Sequence, residues 1–207
     1  MKVVLLNGSP HVNGTTARAL KEVADELIKN GIDSEIIHVG AKPVRDCIGC
    51  ARCVELNKCV FEDDLVNELV QKVKQSDGLI VGTPVYYASA TGVVRSVLDR
   101  MFYSSQGAFA FKPAATVAVA RRAGTVTAFD EINRYFTISR MPIVSSTYWN
   151  NVHGKSAKEA EQDKEGMQTM RNLARNMAWM IKCIKAGEKE GVSLPETERI
   201  SQTNFIR

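Results

Sequence analysis

Four cysteines with close, regular spacing are the residues of this chain best suited to do chemistry. Cys47, Cys50, Cys53 and Cys59 follow the pattern Cys-x2-Cys-x2-Cys-x5-Cys. Three thiolates at that spacing can surround one iron–sulfur cubane, and a fourth cysteine nearby completes the ligand set. Zinc sites more often use two separated pairs, so the spacing favours a four-iron cluster. A zinc ion, free thiols or a disulfide stay open as alternatives.

A glycine-rich turn near the start of the chain is suited to bind a phosphate. Residues 7–16 read Asn-Gly-Ser-Pro-His-Val-Asn-Gly-Thr-Thr and lead from an apolar run into a helix, whose free N–H groups and positive end attract anions. Gly8 and Gly14 allow the backbone to approach a phosphate. The spacing fits neither the Walker A pattern nor Gly-x-Gly-x-x-Gly. An ordinary strand-to-helix turn is the structural alternative.

Two further turns carry side chains that can hold a planar ring. Residues 83–92 read Thr-Pro-Val-Tyr-Tyr-Ala-Ser-Ala-Thr-Gly, in which the proline and tyrosines can form an apolar wall. Residues 120–125 read Ala-Arg-Arg-Ala-Gly-Thr, and adjacent arginines can stabilise an anion such as a reduced flavin ring or a cofactor phosphate. Ordinary strand-to-helix packing and a solvated pair of charges are the respective alternatives.

An alternation of strands and helices must position these turns. Buried β-branched or Leu-rich runs predict strands at 2–6, 34–39, 78–82, 115–120 and 142–145. Apolar residues at helical spacing predict helices at about 15–29, 65–73, 94–101, 129–136 and 157–186. This order predicts an α/β fold with a doubly wound, five-stranded parallel sheet and helices on both faces. Ligands then bind beyond the carboxyl ends of the strands.

Length and composition limit the remaining possibilities. The 207 residues suit a single domain, with a cysteine-rich loop at about 40–62 inserted after the second strand and a C-terminal helix and tail at about 157–207. A net charge of +4 without a basic tract does not favour nucleic acid. The absence of a long apolar run argues against a membrane helix or a signal peptide, so we expect a cytoplasmic protein.

The C-terminal part gives two smaller expectations. Cys183 lies near the apolar side of the Met-rich last helix and is expected to be a buried, inert thiol. The polar tail at 192–207 ends in Phe205-Ile206 and is expected to lie on the surface or to reach a neighbouring subunit.

Together the motifs resemble the flavodoxin-like NAD(P)H-dependent FMN reductase family, and most closely its iron–sulfur flavoprotein branch. The resemblance covers residues 1 to about 154 and rests on the three turns and the cysteine loop. It implies an FMN site built from Ser9, His11, Asn13, Gly14, Thr15 and Thr16 at the phosphate, Pro84, Val85, Tyr86 and Tyr87 along the isoalloxazine, and Arg121, Arg122 and Gly124 closing over the ring. Members usually carry Arg after Gly-Ser-Pro, where this chain has His11, and Arg18 could compensate.

The resemblance implies an FMN-dependent oxidoreductase that takes a hydride from NAD(P)H and passes electrons to a quinone, a flavin or another small acceptor. The flavin does that chemistry itself, so no catalytic residue is expected. An alternative is an electron-transfer protein whose 4Fe-4S cluster receives single electrons from ferredoxin. A second alternative is a zinc-stabilised, non-catalytic interaction module. One flavin face lacks a wall in a single chain, which favours a homodimer or homotetramer.

Overall fold

A parallel sheet lies at the centre of the computed structural model, which describes residues 1–198, 201, 203 and 205. In chain order its elements are β1 (Lys2–Asn7), α1 (Thr15–Lys29), β2 (Asp33–His38), α2 (Cys53–Leu56), α3 (Val66–Lys74), β3 (Gly78–Tyr86), β4 (Ser89–Ala90), α4 (Gly92–Ser105), β5 (Ala114–Ala120), α5 (Thr125–Ile138), β6 (Asn151–His153), α6 (Ala157–Ala160) and α7 (Lys164–Lys189). Five strands run parallel in the order β2-β1-β3-β5-β6, which confirms the predicted sheet. The two-residue β4 pairs antiparallel with the end of β3.

Both faces of the sheet are covered by helices, as the continuous apolar strands require. Val3 and Leu5 belong to a core shared with α1 and α7, whereas Val4 and Leu6 belong to a core shared with α3, α4 and α5. Successive side chains of a strand point to opposite faces, so one short apolar run supplies both cores. The fold is therefore the predicted flavodoxin-like α/β arrangement.

The carboxyl ends of the central strands meet at one edge of the sheet. Asn7, the last residue of β1, pairs in register with Gly82, and Pro84 pairs with Val119. From β1 the chain crosses to β2 on one side and to β3 on the other. Such a reversal of strand order is where ligands bind in open α/β sheets, so the turns after β1, β3 and β5 are brought together there.

The fifth parallel strand lies later in the sequence than predicted. Within 142–145 only Ile143 forms a bridge, to Ala114, and the strand itself is β6 beside 118–120. The loop between Ile143 and β6 exposes the rings of Tyr148 and Trp149, which pack edge to face. The prediction was wrong because β6 is an edge strand with a single buried apolar residue, Val152, and gives no apolar run.

The predicted last helix is two helices, α6 and α7. Asp163 begins α7 by accepting the Gly166 N–H at 2.9 Å, and its other oxygen accepts the His153 N–H at 2.7 Å. Cys183 is exposed rather than buried, because α7 continues past Ile181, the last of its residues that is buried; that prediction was wrong. No helix in the described part of the chain is long and apolar enough to cross a bilayer.

The predicted surface tail is described only in part. Residues 192–198 form neither helix nor strand and are exposed, and the side chain of Phe205 is exposed. Residues 199, 200, 202, 204, 206 and 207 lie outside the described residues, and with them Ile206 of the predicted hydrophobic end.

Candidate functional site

One cleft at the carboxyl edge of the sheet gathers most of the residues predicted to bind a flavin. It has a volume of about 780 Å³, within the range of ordinary cofactor sites. The predicted residues in its wall are Ser9, His11, Asn13, Gly14, Thr15, Thr16, Pro84, Val85, Tyr86 and Arg121. Segments that are far apart in sequence therefore share one space, as the parallel topology predicts.

The turn between β1 and α1 is stabilised by hydrogen bonds between its own polar groups. The Ser9 N–H donates to Asn7 Oδ1 and the His11 N–H donates to Ser9 Oγ, both at 3.1 Å. A Cβ on Gly8 would lie 2.8 Å from the Gly82 carbonyl oxygen and 2.8 Å from Val94 Cγ2. Only glycine fits there, because β3 and α4 approach the turn so closely.

The N-terminus of α1 opens towards the cleft without a side-chain cap. Gly14 is its N-cap residue, and the first turn of α1 holds no acidic side chain. The N-terminus of α5, which follows Gly124, shares both features. By contrast, Thr91 caps α4 by accepting the Val94 N–H. Uncapped helix ends leave N–H donors and a partial positive charge available to an anion.

Three of the predicted flavin-binding residues do not line this cleft. The Tyr87 side chain is fully exposed, and its backbone is left-handed (φ +60°) in the turn between β3 and β4. Arg122 is exposed on the turn after β5. Gly124 lies behind the wall, where a Cβ would come within 2.8 Å of Val85 Cγ1, so it allows Val85 its place in the wall.

Arg18 does not replace the arginine that the resemblance usually places at position 11. Its guanidinium donates to Glu22 and to Glu161, each at 2.8 Å, and it lies outside the cleft wall. Burial acts to lower the pKa of Arg18, but the hydrogen bonds to these two carboxylates outweigh it and raise that pKa. Arg18 therefore links α1 to the C-terminal helices.

Residues after β6 complete the cleft and include a cation that the sequence analysis did not single out. Gly154, Lys155, Ser156 and Ala157 line the cleft, and the Thr15 hydroxyl at the start of α1 donates to the Gly154 carbonyl at 3.4 Å. Lys155 was missed because the fifth strand was predicted at 142–145, ahead of its observed position at Asn151–His153. Since residues that follow a parallel strand face this edge, the correct strand would have pointed to Lys155.

The four predicted cluster ligands line a second, separate cavity of about 230 Å³. Cys59 is buried, Cys47 and Cys53 are half-buried, and Cys50 is exposed. The remaining wall is largely apolar, with Ile48, Val54, Val60, Phe61 and Tyr103. Nowhere in the described residues are three His, Cys, Asp or Glu side chains close enough to hold a single metal ion. Four thiols around one apolar space are a donor set that fits an iron–sulfur cluster.

Polar side chains from outside the cysteine loop hold two of its cysteines. Asn67 accepts the Cys59 N–H at 2.9 Å and donates to the Cys59 carbonyl at 3.0 Å. Gln106, just after α4, donates to the Cys53 carbonyl at 2.5 Å. Sequence spacing gives no sign of either contact, because both depend on how α3 and α4 pack against the loop.

Helix α4 joins the cleft to the cysteine cavity. Thr91 at its start donates to the Gly8 carbonyl, while Tyr103 and Ser104 near its end line the cysteine cavity. A third cavity of about 860 Å³ lies along α4 between loop 40–46 and α5. In that cavity the Tyr135 hydroxyl donates to Asp99 at 2.6 Å, and burial together with this contact raises the pKa of Tyr135.

Comparison with known proteins identifies similar chains. The model of a family described as NADPH-dependent FMN reductase matches residues 1–155. An iron-sulfur flavoprotein of Methanocaldococcus jannaschii is 32% identical over 193 residues, which cover 89% of this chain and 100% of that protein.

Solved structures with a similar fold include a flavone reductase, with a TM-score of 0.70 and 16% identity, covering 89% of this chain and 64% of that one. They also include a flavodoxin from the domain Archaea, with a TM-score of 0.61 and 14% identity, covering 88% of this chain and 99% of that one. At these identities the two structures show the flavodoxin-like fold alone.

Proposed function

The chain belongs to the NADPH-dependent FMN reductase family, in its iron–sulfur flavoprotein branch, and we propose that it passes electrons from NAD(P)H through bound FMN to a small acceptor. The observation that carries this proposal is the cleft at the carboxyl edge of the sheet. Ten of the residues expected to contact FMN line it, and the uncapped N-terminus of α1 opens towards it. Bound FMN would accept the hydride and release electrons to the acceptor.

The turn between β1 and α1 would hold the phosphate of FMN. The hydroxyls of Ser9, Thr15 and Thr16 and the free N–H groups at the start of α1 are suited to phosphate oxygens. Lys155, which lines the same cleft, would add positive charge to a site where His11 replaces the usual arginine. His11 and Asn13 complete the rim of this half of the cleft.

The turns after β3 and β5 would hold the ring. Pro84, Val85 and Tyr86 offer an apolar wall. Arg121 lines the same cleft, and the positive end of α5 begins at Gly124, against Val85, so both would stabilise negative charge on a reduced ring. Tyr87, next to Tyr86 of the wall, is fully exposed, which supports a homodimer or homotetramer in which a second copy covers the ring.

The same proposal assigns Cys47, Cys50, Cys53 and Cys59 to a 4Fe-4S cluster. A cluster supplies one-electron transfer when bound. The shared apolar cavity and the name of the Methanocaldococcus relative support it. They also favour a second candidate function, in which ferredoxin rather than NAD(P)H is the electron donor.

Anaerobically purified full-length chain tests both cofactor assignments in one sample. We expect a flavin spectrum with FMN released on denaturation, and about four irons and four sulfides per chain. Cys50→Ser should lower the iron content, whereas Cys183→Ser is the matched control because Cys183 is exposed and far along α7. Colourless protein that binds zinc and takes up no FMN would contradict the proposal and support an interaction module.

Stopped-flow mixing separates the two donors. Rapid bleaching of the flavin by NADPH or NADH supports the reductase. Slow bleaching by both nucleotides but rapid bleaching by reduced ferredoxin would overturn the NAD(P)H-dependent form and support the electron-transfer protein.

A further inference from the structure

Arg100 is the largest fully buried side chain of the described residues, with 1% of its surface exposed. It lies on α4 and borders the cysteine cavity. Buried arginines are rare and need partners for their charge and for all five N–H groups. The acceptors around Arg100 therefore indicate its role.

Every N–H group of the Arg100 guanidinium has an acceptor. Nε donates to Cys59 Sγ at 3.2 Å. Nη1 donates to Asp64 Oδ2 and, at 3.2 Å, to the Arg45 carbonyl. Nη2 donates to Asp64 Oδ1 at 3.1 Å and to the Phe61 carbonyl at 3.4 Å. Four of the five donors hold a carboxylate and the loop backbone, and the fifth points at a cysteine sulfur.

Asp64 balances the charge of Arg100. Its side chain is 8% exposed, and its Oδ1 also accepts the Val66 N–H at the start of α3. The bidentate ion pair fixes the plane of the guanidinium, and with it the direction of the Nε–H group. What reaches Cys59 is thus an oriented N–H dipole from a cation.

We propose that Arg100 is a positioning residue for Cys59 that raises the reduction potential of the cluster at the four cysteines. The inference rests on the cluster assignment proposed above. Reduction adds one electron to the centre, and no bond forms or breaks. The added negative charge is shared by the ligand sulfurs, so an N–H group aimed at one of them stabilises the reduced state more than the oxidised state.

Arg45 provides a matched control for charge alone. The guanidinium carbons of Arg45 and Arg100 both lie 5.2 Å from the centre of the Phe61 ring. The Arg45 side chain, however, is 62% exposed and pairs with Asp63. Its removal takes away a nearby cation and leaves the hydrogen bond to Cys59 Sγ intact.

The test is a potentiometric titration of the anaerobically reconstituted full chain, with the reduced cluster followed by electron paramagnetic resonance and the flavin by its visible spectrum. Arg100→Lys keeps the charge next to Asp64 but removes the Nε–H group. Arg100→Met combined with Asp64→Asn removes both charges and leaves no unpaired carboxylate. In both we expect cluster reduction to become about tenfold less favourable, a drop of about 59 mV for one electron. The flavin potential should stay unchanged.

Three results would overturn the inference. The first is an unchanged cluster potential in both Arg100 variants, and the second is an equal drop in Arg45→Gln. The third result applies if the variants fail to assemble a cluster, and it needs only wild-type protein. When that protein is grown with ¹⁵N-arginine, we expect a nitrogen hyperfine coupling to the reduced cluster. The absence of this coupling would overturn the inference. Wild-type protein that binds FMN but no iron would overturn the cluster assignment as well, while leaving the flavin site in place.

Discussion

The hydroxyl of Thr91 donates to the carbonyl of Gly8 at 2.9 Å, which ties the start of α4 to the turn that would hold the FMN phosphate. Nine residues later on the same helix, Arg100 donates to Cys59 of the cysteine cavity. A helix rises 1.5 Å per residue, so these two anchor points lie about 14 Å apart along the axis. One rigid element therefore sets the separation of the two proposed cofactor sites.

The close approach at Gly8 gives the first prediction. Gly8→Ala should cost about 1–3 kcal/mol in the free energy of unfolding, because the new Cβ would lie 2.8 Å from the Gly82 carbonyl oxygen. FMN affinity should fall with it, since the turn must move. Chemical denaturation and fluorescence titration with FMN measure the two effects.

Gly92→Ala is the control for that substitution. A Cβ on Gly92 meets no atom within 4 Å, and alanine is favoured over glycine in a helix by about 0.5–1 kcal/mol. We expect unchanged or slightly higher stability and unchanged FMN affinity. A Gly8→Ala protein as stable as Gly92→Ala would contradict the steric argument.

Local patterns in the sequence were enough to predict the sheet and the turn that follows its first strand. Val3 to Leu6 is a continuous apolar run because both faces of β1 are buried, and the turn residues follow directly from it. β6 escaped prediction because an edge strand with one buried residue has no such run. Because β6 was predicted too early in the sequence, Lys155, which follows β6 and lines the cleft, was also missed.

The contacts around the cysteines could not be predicted from their spacing in the sequence. The pattern predicted which four thiols would share a space, since Cys47 to Cys59 are close in sequence. It gave no sign that Arg100, more than forty residues away, would be buried against one of them. Similarly, the sequence does not distinguish Tyr86 from Tyr87. The turn into β4 keeps Tyr86 in the cleft wall, 47% exposed, and leaves Tyr87 fully exposed.

His11 gives the second prediction. It lines the cleft at the position where the family usually carries arginine, and Arg18 is held elsewhere by Glu22 and Glu161. His11→Arg should tighten FMN binding about three- to tenfold, because a fixed cation next to a phosphate gains a charge-assisted hydrogen bond. Titration with riboflavin, which has no phosphate, is the control and should show no gain. Equal or weaker FMN affinity would remove His11 from the phosphate site.

Glu26 gives a prediction about pH. Burial acts to raise the pKa of Glu26, but hydrogen bonds from Arg175 and Lys29 outweigh it and lower that pKa below its ordinary 4.5. The pair with Arg175, at 2.7 Å, joins α1 to α7. A lowered folded pKa means that the stabilisation is present above pH 4.5 and is lost as the pH falls through the folded value.

Glu26→Gln should therefore lower the free energy of unfolding by about 1 kcal/mol at pH 7, and the difference from wild type should shrink below about pH 4.5. Urea denaturation at several pH values measures it. Asp25→Asn, which removes an exposed pair with Lys21, should change stability little at any pH. A difference at Glu26 that stays constant down to pH 3 would show that the ionised carboxylate is not its source.

Tyr86 and Tyr87 give the last prediction, in which the family resemblance and the structure disagree. The resemblance places both tyrosines along the isoalloxazine, whereas the structure places only Tyr86 in the cleft wall and leaves Tyr87 in solvent. Tyr86→Ser should weaken binding of both FMN and riboflavin about tenfold, because an aromatic wall acts on the ring that the two share. Tyr87→Ser, the matched control, should change either affinity less than twofold at protein concentrations where the chain is monomeric. A tenfold loss in Tyr87→Ser under those conditions would mean that the β3–β4 turn rearranges to bring Tyr87 against the flavin.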